Sequence, residues 1–464
     1  PEAEADEKAV HFPRQILIPW IAAAAAVFVL LAFGARSFLN PASADPVIAD
    51  NPIATLLLAE NCEWDEAINE GQRLAAGVVG LKSGTAVIRF DGGAELVLSG
   101  ATEIELRNAG SGRLIRGDVI VRAVDGAEGF TLDTPASKVV DLGTEFAVRA
   151  DASGRTELHV LDGRVRSRGQ VLEAGKAVRF DSAAAEPREV ELNSPRFEEA
   201  VRKVAPKPRA DLMTAYSGFH YPPGELPLSA STKGKGWAGP WRLRLPEERR
   251  RPEEQTTPNM LQIVHGQMNV TWPVPGGRLG MLEMPPGPTF YVRELKKPIP
   301  MDRRGVWFFS LMAHETERPE KRSAVRFEAV RLTFRSSDNY FGEALSFGHG
   351  QSFRPRVQVG DGIGFTSPLL SPAEQTTLWV GKVVSRSNGE DEIYFRVYGE
   401  SDHLEYAEPA VWHVVTRDVD LNARFDRILL SSTGNAARIV DELRIGPTWR
   451  SVVPFKPHDG SSSE

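Results

Sequence analysis

Short runs of alternating hydrophobic and polar residues, separated by glycine-containing turns, occupy residues 75–180, as in "TAVIRF", "AELVLSG" and "GDVIVRAV". In "TEFAVRA", Phe146 and Val148 fall on one face, and Glu145 and Arg149 fall on the other. Alternation with a period of two predicts strands with one buried face and one solvated face. The runs are too closely spaced for crossover helices, so we predict an all-β domain here.

One stretch of this region, residues 141–168, concentrates polar side chains. Asp162-Gly163 lies between two strand-like runs and predicts a type I′ hairpin turn. The "DLG" of residues 141–143 predicts another turn. His159 is predicted on the solvated face, with no second residue at metal-ligand spacing. We therefore interpret the cluster as turns and a wet sheet face rather than as a catalytic site. Its members are Asp141, Thr144, Glu145, His159 and Asp162.

Two segments that flank the first β domain have a different pattern. The run "IATLLLAENCEWDEAI" (53–68) predicts a short helix that covers one side of the domain. In the linker 183–210, Ser194 can cap a second short helix and Pro195 suits its first turn. We place the boundary to the next domain near Lys207.

Residues 211–453 also alternate, and they are rich in tryptophan. Six or more strand-like runs over this length suit a two-sheet β-sandwich of jelly-roll type. The tail 454–464 has a disordered composition. The runs include "GVWFFSLMAH", "AVRLTFRS", "TLWVGKVVSR", "EIYFRVYG", "DRILLSS" and "VDELRIG".

Residues 16–35 form an uncharged apolar run long enough to cross a bilayer as a helix, so we predict a transmembrane segment at 15–36. A buried core helix and a signal peptide ending near "SFLNPASA" are the alternatives. Basic residues precede the run, and beyond Arg36 none occurs until Arg73. This asymmetry predicts a cytoplasmic stub at 1–14, a tether at 37–61 and the bulk of the chain outside the cytoplasm, on the inner membrane.

Composition narrows the classes of function. The chain has 464 residues, a formal net charge of −7 and a single cysteine, Cys62. The charge argues against binding to nucleic acid. One cysteine excludes an internal disulfide framework and any multi-cysteine metal site, and a small buried hydrophobe is the preferred role for Cys62 over a reactive thiol. The chain begins at Pro1, so we expect a fragment or a processed form.

Residues 62–182 resemble the FecR domain, which forms the extracytoplasmic part of single-pass proteins that relay signals to sigma factors. "TPASKVVDLGTEFAV", "GDVIVRAV" and the glycine spacing carry this resemblance. Residues 211–453 resemble, less specifically, concanavalin A-like (LamG-type) sandwiches, through "GKGWAGPW" and "DELRIGPTW". The resemblances imply a sigma factor or an outer-membrane receptor as partner, and a carbohydrate or protein ligand for the sandwich.

The chain departs from the typical FecR regulator in two ways. About fourteen residues precede the predicted span, too few for the cytoplasmic sigma-binding domain. The second domain is also not the small domain of the siderophore-uptake regulators, so an iron-siderophore role does not carry over.

No catalytic constellation stands out in the sequence, and we predict a non-enzymatic protein without cofactor or metal. "HETER" (314–318) lacks the second histidine of a zincin motif, and no Walker loop or G-x-S-x-G elbow occurs. Glu390 and Glu392 come closest to a glycosidase pair, but their spacing is wrong. Asp441 and Glu442 flank the last strand, where a structural role is preferred to a calcium-linked one.

Trp237 and Trp241 are the candidate ligand-binding residues, because sugar rings stack on exposed aromatic side chains. Packing in the core is the alternative role for both. The function that fits best is a membrane-anchored sensor or adaptor of FecR type. The alternatives are a polysaccharide-binding or -degrading envelope protein, with the FecR-like domain as scaffold, and a purely structural envelope protein.

Overall fold

The computed structural model describes residues 52–123, 127–192, 197, 208–243, 260–266, 268, 280–315, 330–337, 344–350, 353–360, 362–387, 389–433 and 436–453. They belong to one compact unit, Pro52–Glu464. Within this described part of the chain, no helix is both long and apolar enough to cross a membrane. The predicted stub, span and tail (1–14, 15–36 and 454–464) lie outside it, as do residues 37–51 of the tether.

A single sheet of thirteen strands forms the first β body. β5 pairs with β6 through Ser111–Arg113 and with β8 through Gly117–Arg122, so the sheet branches at β5. One branch continues from β5 through β6, β7 and β10 to β11. The other branch continues from β5 through β8, β9 and β12 to β13. The opposite edge of β5 pairs with β4, which is followed by β3, β1 and β2. The strands are β1 Ala54–Trp64, β2 Arg73–Leu74, β3 Gly77–Phe90, β4 Ala94–Asn108, β5 Ser111–Ala123, β6 Thr131–Asp133, β7 Lys138–Asp141, β8 Glu145–Ala150, β9 Thr156–Asp162, β10 Arg164–Ser167, β11 Gln170–Glu173, β12 Ala177–Phe180 and β13 Arg188–Glu189.

The all-β prediction for this region is confirmed, and the long strands β3, β4 and β5 bend at glycines. Gly84 has φ +97°, and a Cβ there would lie 2.4 Å from the Asn61 carbonyl oxygen. Gly117 has φ +108°, and a Cβ there would lie 2.4 Å from Thr102 Oγ1. Register shifts in the pairings of these strands accompany both positions. Only glycine suits such a bend, because it tolerates positive φ and leaves room for the neighbouring backbone.

The helix predicted at 53–68 is wrong, because Ala54–Trp64 forms strand β1 and pairs with β3. Leu56 lies in the main core of the first body, whereas Leu57 and Leu58 lie in a second cluster on the other side of the sheet. A strand buried on both faces is apolar at every position and loses the alternation that identifies strands. The sheet therefore begins at Ala54, within the segment predicted as the tether (37–61), and not at residue 62.

The hairpin predicted at Asp162-Gly163 is also wrong. β9 pairs with β8 and β12, whereas β10 pairs with β7 and β11, so the two strands joined by this dipeptide are not neighbours. Gly163 still requires positive φ (+74°), and a Cβ there would lie 2.4 Å from the Gly143 carbonyl oxygen. The dipeptide turns the chain between two branches of the sheet.

Two stacked sheets form the second β body, which confirms a sandwich-like arrangement. The nine-stranded sheet runs β15-β17-β18-β29-β20-β25-β26-β27, with β14 on β29, and the seven-stranded sheet runs β16-β19-β28-β21-β22-β23-β24. The strands are β14 Ala215–Ser217, β15 Gly224–Pro227, β16 Arg242–Leu243, β17 Met260–His265, β18 Gly280–Met284, β19 Thr289–Pro300, β20 Gly305–Glu315, β21 Arg331–Arg335, β22 Ala344–Gly350, β23 Arg354–Val359, β24 Ile363–Thr366, β25 Thr376–Ser385, β26 Asp391–Tyr398, β27 Val414–Val419, β28 Arg424–Ser432 and β29 Arg438–Gly446.

Little helix accompanies these sheets in the described residues. Two 3₁₀ helices span Ala210–Leu212 and Leu228–Ala230, and α1 spans Trp449–Val452. The Thr448 side chain accepts from Ser451 N and caps α1. The helix predicted from Ser194 lies almost wholly outside the described residues, which include only Phe197.

The core of the sandwich lies between its two sheets, and a further apolar cluster covers the outer face of the nine-stranded sheet. That outer cluster contains Phe308, Met312, Leu378 and Val380 from the strands and Trp449 from α1. The face that would otherwise meet solvent is therefore partly buried, and the first body contacts the sandwich on this side.

Candidate functional site at the junction of the two bodies

The face of the first sheet that carries His159, which the sequence predicts to be exposed to solvent, is covered by other residues. Leu57, Val87 and Ile120 pack there with Phe197 and with Ala407, which belongs to the second body. His159 is 3% exposed, and its ring centroid lies 5.2 Å from that of Phe197. The prediction of a solvated His159 is therefore wrong, because residues distant in sequence bury this face.

Arg450 of α1 connects the second body to the first. Its guanidinium donates to the carboxylates of Glu60 and Glu70, and Nη2 lies 3.5 Å from the Ala59 carbonyl oxygen. Glu70 Oε1 also accepts from Ala59 N at 2.8 Å. The Arg450 side chain is 2% exposed. Since a buried charge is tolerated only when it is paired, these contacts fix the two bodies against each other.

A second buried ion pair lies nearby, between β25 and the loop after β26. Lys382 Nζ lies 2.8 Å from Glu408 Oε1 and 5.0 Å from the centroid of the Tyr394 ring. Burial lowers the pKa of Lys382, and Glu408 partly opposes this shift. Arg89 of β3 donates to the Glu408 carbonyl oxygen at 2.7 Å. The loop that holds the lysine is thus itself held by the first body.

Glu392 forms a third charged group on the same side of the sandwich. Arg386 Nη2 donates to Oε1 at 2.6 Å, Arg417 Nε donates to Oε2 at 3.3 Å, and the Tyr394 hydroxyl also donates to Oε2. Burial raises the pKa of Glu392, but Tyr394 and the arginines lower it more, so the net shift is downward. A carboxylate held in this way is a structural anion, not a proton donor at neutral pH.

Between the two bodies lies a cavity of about 280 Å³. Arg73 in its wall is bonded to Asp91 through two contacts of 2.6 Å. We call the ion pairs of Arg450 and Lys382, the Arg89 contact and this cavity the junction. The cavity is lined by Thr55, Leu57, Arg73, Arg89, Phe90, Asp91 and Gly93 of the first body and by Lys382, Tyr394, Glu408, Pro409, Ala410, Trp412, Val415 and Arg417 of the second.

Ion pairs hold the charged side chains of Arg73, Lys382 and Arg450 at the junction. Among the described residues, no cysteine, serine or histidine lines the cavity. Within the described residues, no group of three or more potential metal ligands occurs. The arrangement is suited to holding the two bodies in one relative position.

Asp441 and Glu442 belong to a polar constellation at β29, on the same sheet. Glu442 has φ +53°, accepts from the Tyr216 hydroxyl at 2.9 Å and lies 3.2 Å from His220 Nε2. Burial raises the pKa of Glu442, but His220 and Arg444 lower it more. Burial, assisted by the neighbouring Glu442, raises the pKa of Asp441 to about 8. Near neutral pH one carboxyl is therefore charged and the other neutral. Within the described residues, neither belongs to a group of three or more potential metal ligands.

Trp237 and Trp241 do not offer exposed rings, so their interpretation as a stacking surface is wrong. They are 5% and 0% exposed and lie in the core of the sandwich. Trp237 Nε1 donates to the Tyr216 carbonyl oxygen at 2.7 Å, and the Arg293 guanidinium lies 4.8 Å from the Trp237 ring centroid. Isolated bridges from Lys235 to Tyr216 and from Trp237 to Leu295 hold this glycine-containing segment against the sandwich.

The other sequence candidates are not brought together. Glu390 is exposed, whereas Glu392 is buried in its arginine network, so they form no carboxylate pair. Asp141 is fully buried and accepts from the Thr144 hydroxyl, which agrees with a structural role for that cluster. Burial raises the pKa of Asp141.

The family model described as "FecR protein" matches residues 78–166, from β3 to β10. The first body thus contains a segment that matches the FecR family, and β1, β2 and β11 to β13 lie outside the matched residues. No curated protein matches the chain.

Solved structures resemble parts of the chain weakly. A protein named as a candidate anti-sigma factor from Parabacteroides distasonis has 14% identity and a TM-score of 0.23, over 27% of this chain and 64% of that one. An endo-β-1,4-glucuronan lyase from the fungus Trichoderma reesei has 10% identity and a TM-score of 0.30, over 46% and 97%. An alginate lyase from Chlorella virus has 8% identity and a TM-score of 0.20, over 40% and 85%. TM-scores this low support no functional argument.

The junction residues were missed by sequence reasoning. Lys382 gave a signal, since it is a lone charge in the otherwise apolar strand run "TLWVGKVV". No such signal marks Arg450, Glu60 or Glu70, because each lies in a segment where a charged residue is ordinary. Arg450 is also almost 400 positions from both glutamates in the sequence.

Proposed function

We propose that this protein is an extracytoplasmic sensor or adaptor of FecR type, without enzymatic activity, held in the inner membrane by residues 15–36. In this proposal the sandwich takes up a carbohydrate or protein ligand. The FecR-containing body then passes the effect to a partner, a sigma factor system or an outer-membrane receptor. The match of residues 78–166 to the FecR family model supports a function of FecR type.

The observation that carries the proposal is Arg450 of the sandwich bound to Glu60 and Glu70 of the first body. Relay needs a ligand that binds two arrangements of the protein unequally. Buried ion pairs stabilise one relative position of the two bodies, because a movement that separates the paired groups leaves charges buried without partners. Contacts of this kind, next to a cavity, make the junction the element whose equilibrium a bound ligand would change.

The relay is tested by comparing transcripts in cells that carry the wild-type gene, a deletion, or the variant Arg450→Met, with protein amounts checked by immunoblot. We expect the deletion and Arg450→Met to change a shared set of transcripts. Lys176→Met, which breaks the exposed Lys176–Glu189 pair, is the control and should change none. A deletion that leaves every transcript unchanged would contradict relay and favour a structural role in the envelope.

The absence of enzymatic activity is tested separately, by incubating the purified chain with soluble polysaccharides and measuring new chain ends. We expect no release of products. Turnover that disappears in Glu390→Gln or Glu392→Gln would favour the alternative, an envelope protein that degrades polysaccharide and uses the FecR-containing body as a scaffold.

A further inference from the structure

The cavity at the junction is open to solvent, and both bodies contribute to its walls. Among its lining residues, Asp91 and Arg417 have side chains that are 41% and 54% exposed, and Val415 is 46% exposed. Its volume of about 280 Å³ is close to the lower end of the roughly 300–1,000 Å³ of small-molecule sites. The cavity therefore has room for one compact ligand that enters from solvent.

The charges in the walls of this cavity are balanced. Among the described residues, four cationic side chains line it, and each pairs with a carboxylate of the chain at 2.6–3.3 Å. An anionic ligand would have to displace a carboxylate, and a cationic ligand would have to displace a base, so either would leave a charge without its partner. The cavity therefore favours a neutral ligand. The pairs are Arg73–Asp91, Arg89–Glu95, Lys382–Glu408 and Arg417–Glu392.

Two lining residues, one on each body, carry a buried polar atom that has no hydrogen-bond partner among the described residues. Glu408 Oε2 of the sandwich is an acceptor, and Arg73 Nε of the first body is a donor. The charged groups themselves are paired through other atoms, since Lys382 binds Glu408 Oε1 and Asp91 binds both Nη atoms of Arg73. Unpartnered buried atoms are costly. A ligand with several hydroxyl groups can satisfy both, because a hydroxyl donates as well as accepts.

Aromatic side chains from the second body complete the lining. Tyr394 and Trp412 lie together in the wall, with their ring centroids 5.5 Å apart. Lys382 Nζ lies 5.0 Å from the centroid of the Tyr394 ring, so a cation already occupies that ring. Trp412 is half-buried and also lines the cavity. A flat indole beside hydrogen-bonding groups suits a ligand with one apolar face and several hydroxyls, which is the chemistry of a sugar ring.

We propose that this cavity binds one neutral sugar residue, with hydroxyls bonded to Glu408 Oε2 and Arg73 Nε and with the ring packed on Trp412. Because the two hydrogen-bonding atoms belong to different bodies, the site is complete only while the bodies are held together. The sugar therefore binds two arrangements of the protein unequally, as relay requires. The inference rests on the proposed function, which it deepens by placing the ligand between the bodies and naming its chemical class.

The experiment uses the purified full chain in detergent and measures binding of monosaccharides by titration calorimetry. The probes are D-glucose, D-galactose and D-mannose. The matched control ligands are the uronic acid and the 2-amino sugar of each. We expect at least one neutral hexose to bind, and its two charged forms to bind about tenfold more weakly or worse. No binding of any neutral hexose, or a charged form that binds as tightly as its neutral parent, would overturn the proposal.

Two variants locate the bound sugar. Glu408→Gln keeps the size of the side chain but replaces one acceptor oxygen with a donor, so we expect binding to weaken about tenfold. Ala410→Trp fills the cavity from an exposed lining position and should abolish binding. The control is Ser401→Trp, at an exposed position of the same loop that does not line the cavity, and it should bind as the wild type does.

Thermal melting of each variant shows whether it is folded, because Glu408→Gln also weakens the pair with Lys382. If that variant does not fold, Ala410→Trp decides, since its position is exposed. Hexose binding that survives Ala410→Trp would overturn the assignment to this cavity. A hexose that binds while deletion changes no transcript would support this inference and reject relay, and changed transcripts without hexose binding would do the reverse.

Discussion

Lys382 Nζ lies 2.8 Å from Glu408 Oε1, and the two side chains are 1% and 8% exposed. Arg89 of the first body donates to the main chain of the same glutamate. The pair therefore lies on the outer face of the nine-stranded sheet, where the sandwich contacts the first body. Buried pairs of this type add little net stability, but removing one partner is costly.

The first prediction concerns this pair. Lys382→Met leaves the Glu408 carboxylate buried without its cation, and we expect the free energy of unfolding to fall by about 3–5 kcal/mol. The double variant Lys382→Met with Glu408→Leu removes both charges and should recover most of the loss. Urea denaturation followed by tryptophan fluorescence measures both values. A double variant no more stable than Lys382→Met would contradict the assignment of a coupled pair.

Arg450 carries the second prediction. Arg450→Met removes the cation that Glu60 and Glu70 share, so we expect the two bodies to unfold in separate calorimetric transitions instead of one. Arg209→Met is the matched control, since Arg209 lies beside Arg450 in the fold but pairs locally with the exposed Asp211. A single transition in Arg450→Met would mean that apolar contacts suffice to couple the bodies.

Gly71 tests the packing at the junction. It has φ +79°, and a Cβ there would lie 2.8 Å from the Phe308 ring of the second body. Gly71→Ala should therefore lose more than the roughly 1–2 kcal/mol of a left-handed backbone, because the ring must also move. Gly175 has a similar φ of +85° with nothing within 4 Å, so Gly175→Ala measures the backbone cost alone. Chemical denaturation of both variants gives the difference, and equal losses would contradict the contact.

Much of the first body follows from alternation along the strands, because one face of a sheet repeats every second residue. β8 was predicted in this way, with Phe146 and Val148 buried. Alternation does not identify a strand that is buried on both faces, as β1 is at Leu56 and Leu57. A continuous apolar run of this kind is equally typical of a helix. It also cannot show which strands pair, so the turn at Gly163 was assigned to the wrong neighbours.

The junction could not be predicted for a different reason. Arg450 and Glu60 meet only because the end of the second body packs on the first strand of the first body. Trp237 and Trp241 show the converse case: local composition indicates a loop, and only the tertiary fold determines whether the rings point inward. Lys382 is the exception, since a charge within an apolar strand predicts a buried partner without naming it.

Asp441 gives a prediction on pH. Burial raises its pKa to about 8 from an ordinary value of 3.8, so between these values the folded protein holds a proton that the unfolded chain releases. The stability from the neutral carboxyl is complete below about pH 4 and is lost as the pH rises to about 8. Asp441→Asn should remove this part of the pH dependence. The control Asp65→Asn, at an exposed position, should follow the wild-type curve of unfolding free energy against pH. Parallel curves for Asp441→Asn and wild type would contradict a neutral Asp441.

Cys62 offers the last prediction, and its being the single cysteine makes the measurement unambiguous. Burial raises the pKa of its thiol to about 11, against an ordinary 9.0, and the thiol donates to the Thr85 carbonyl oxygen at 3.2 Å. Since the thiolate is the reactive form, a shift of two pKa units lowers its population about 100-fold near neutral pH. We expect the folded chain to react with a disulfide reagent such as DTNB far more slowly than the urea-unfolded chain, with a rate that still rises above pH 10. Rapid labelling of the folded chain at pH 7.5 would identify Cys62 as an activated thiol and would reverse its interpretation as a buried packing residue.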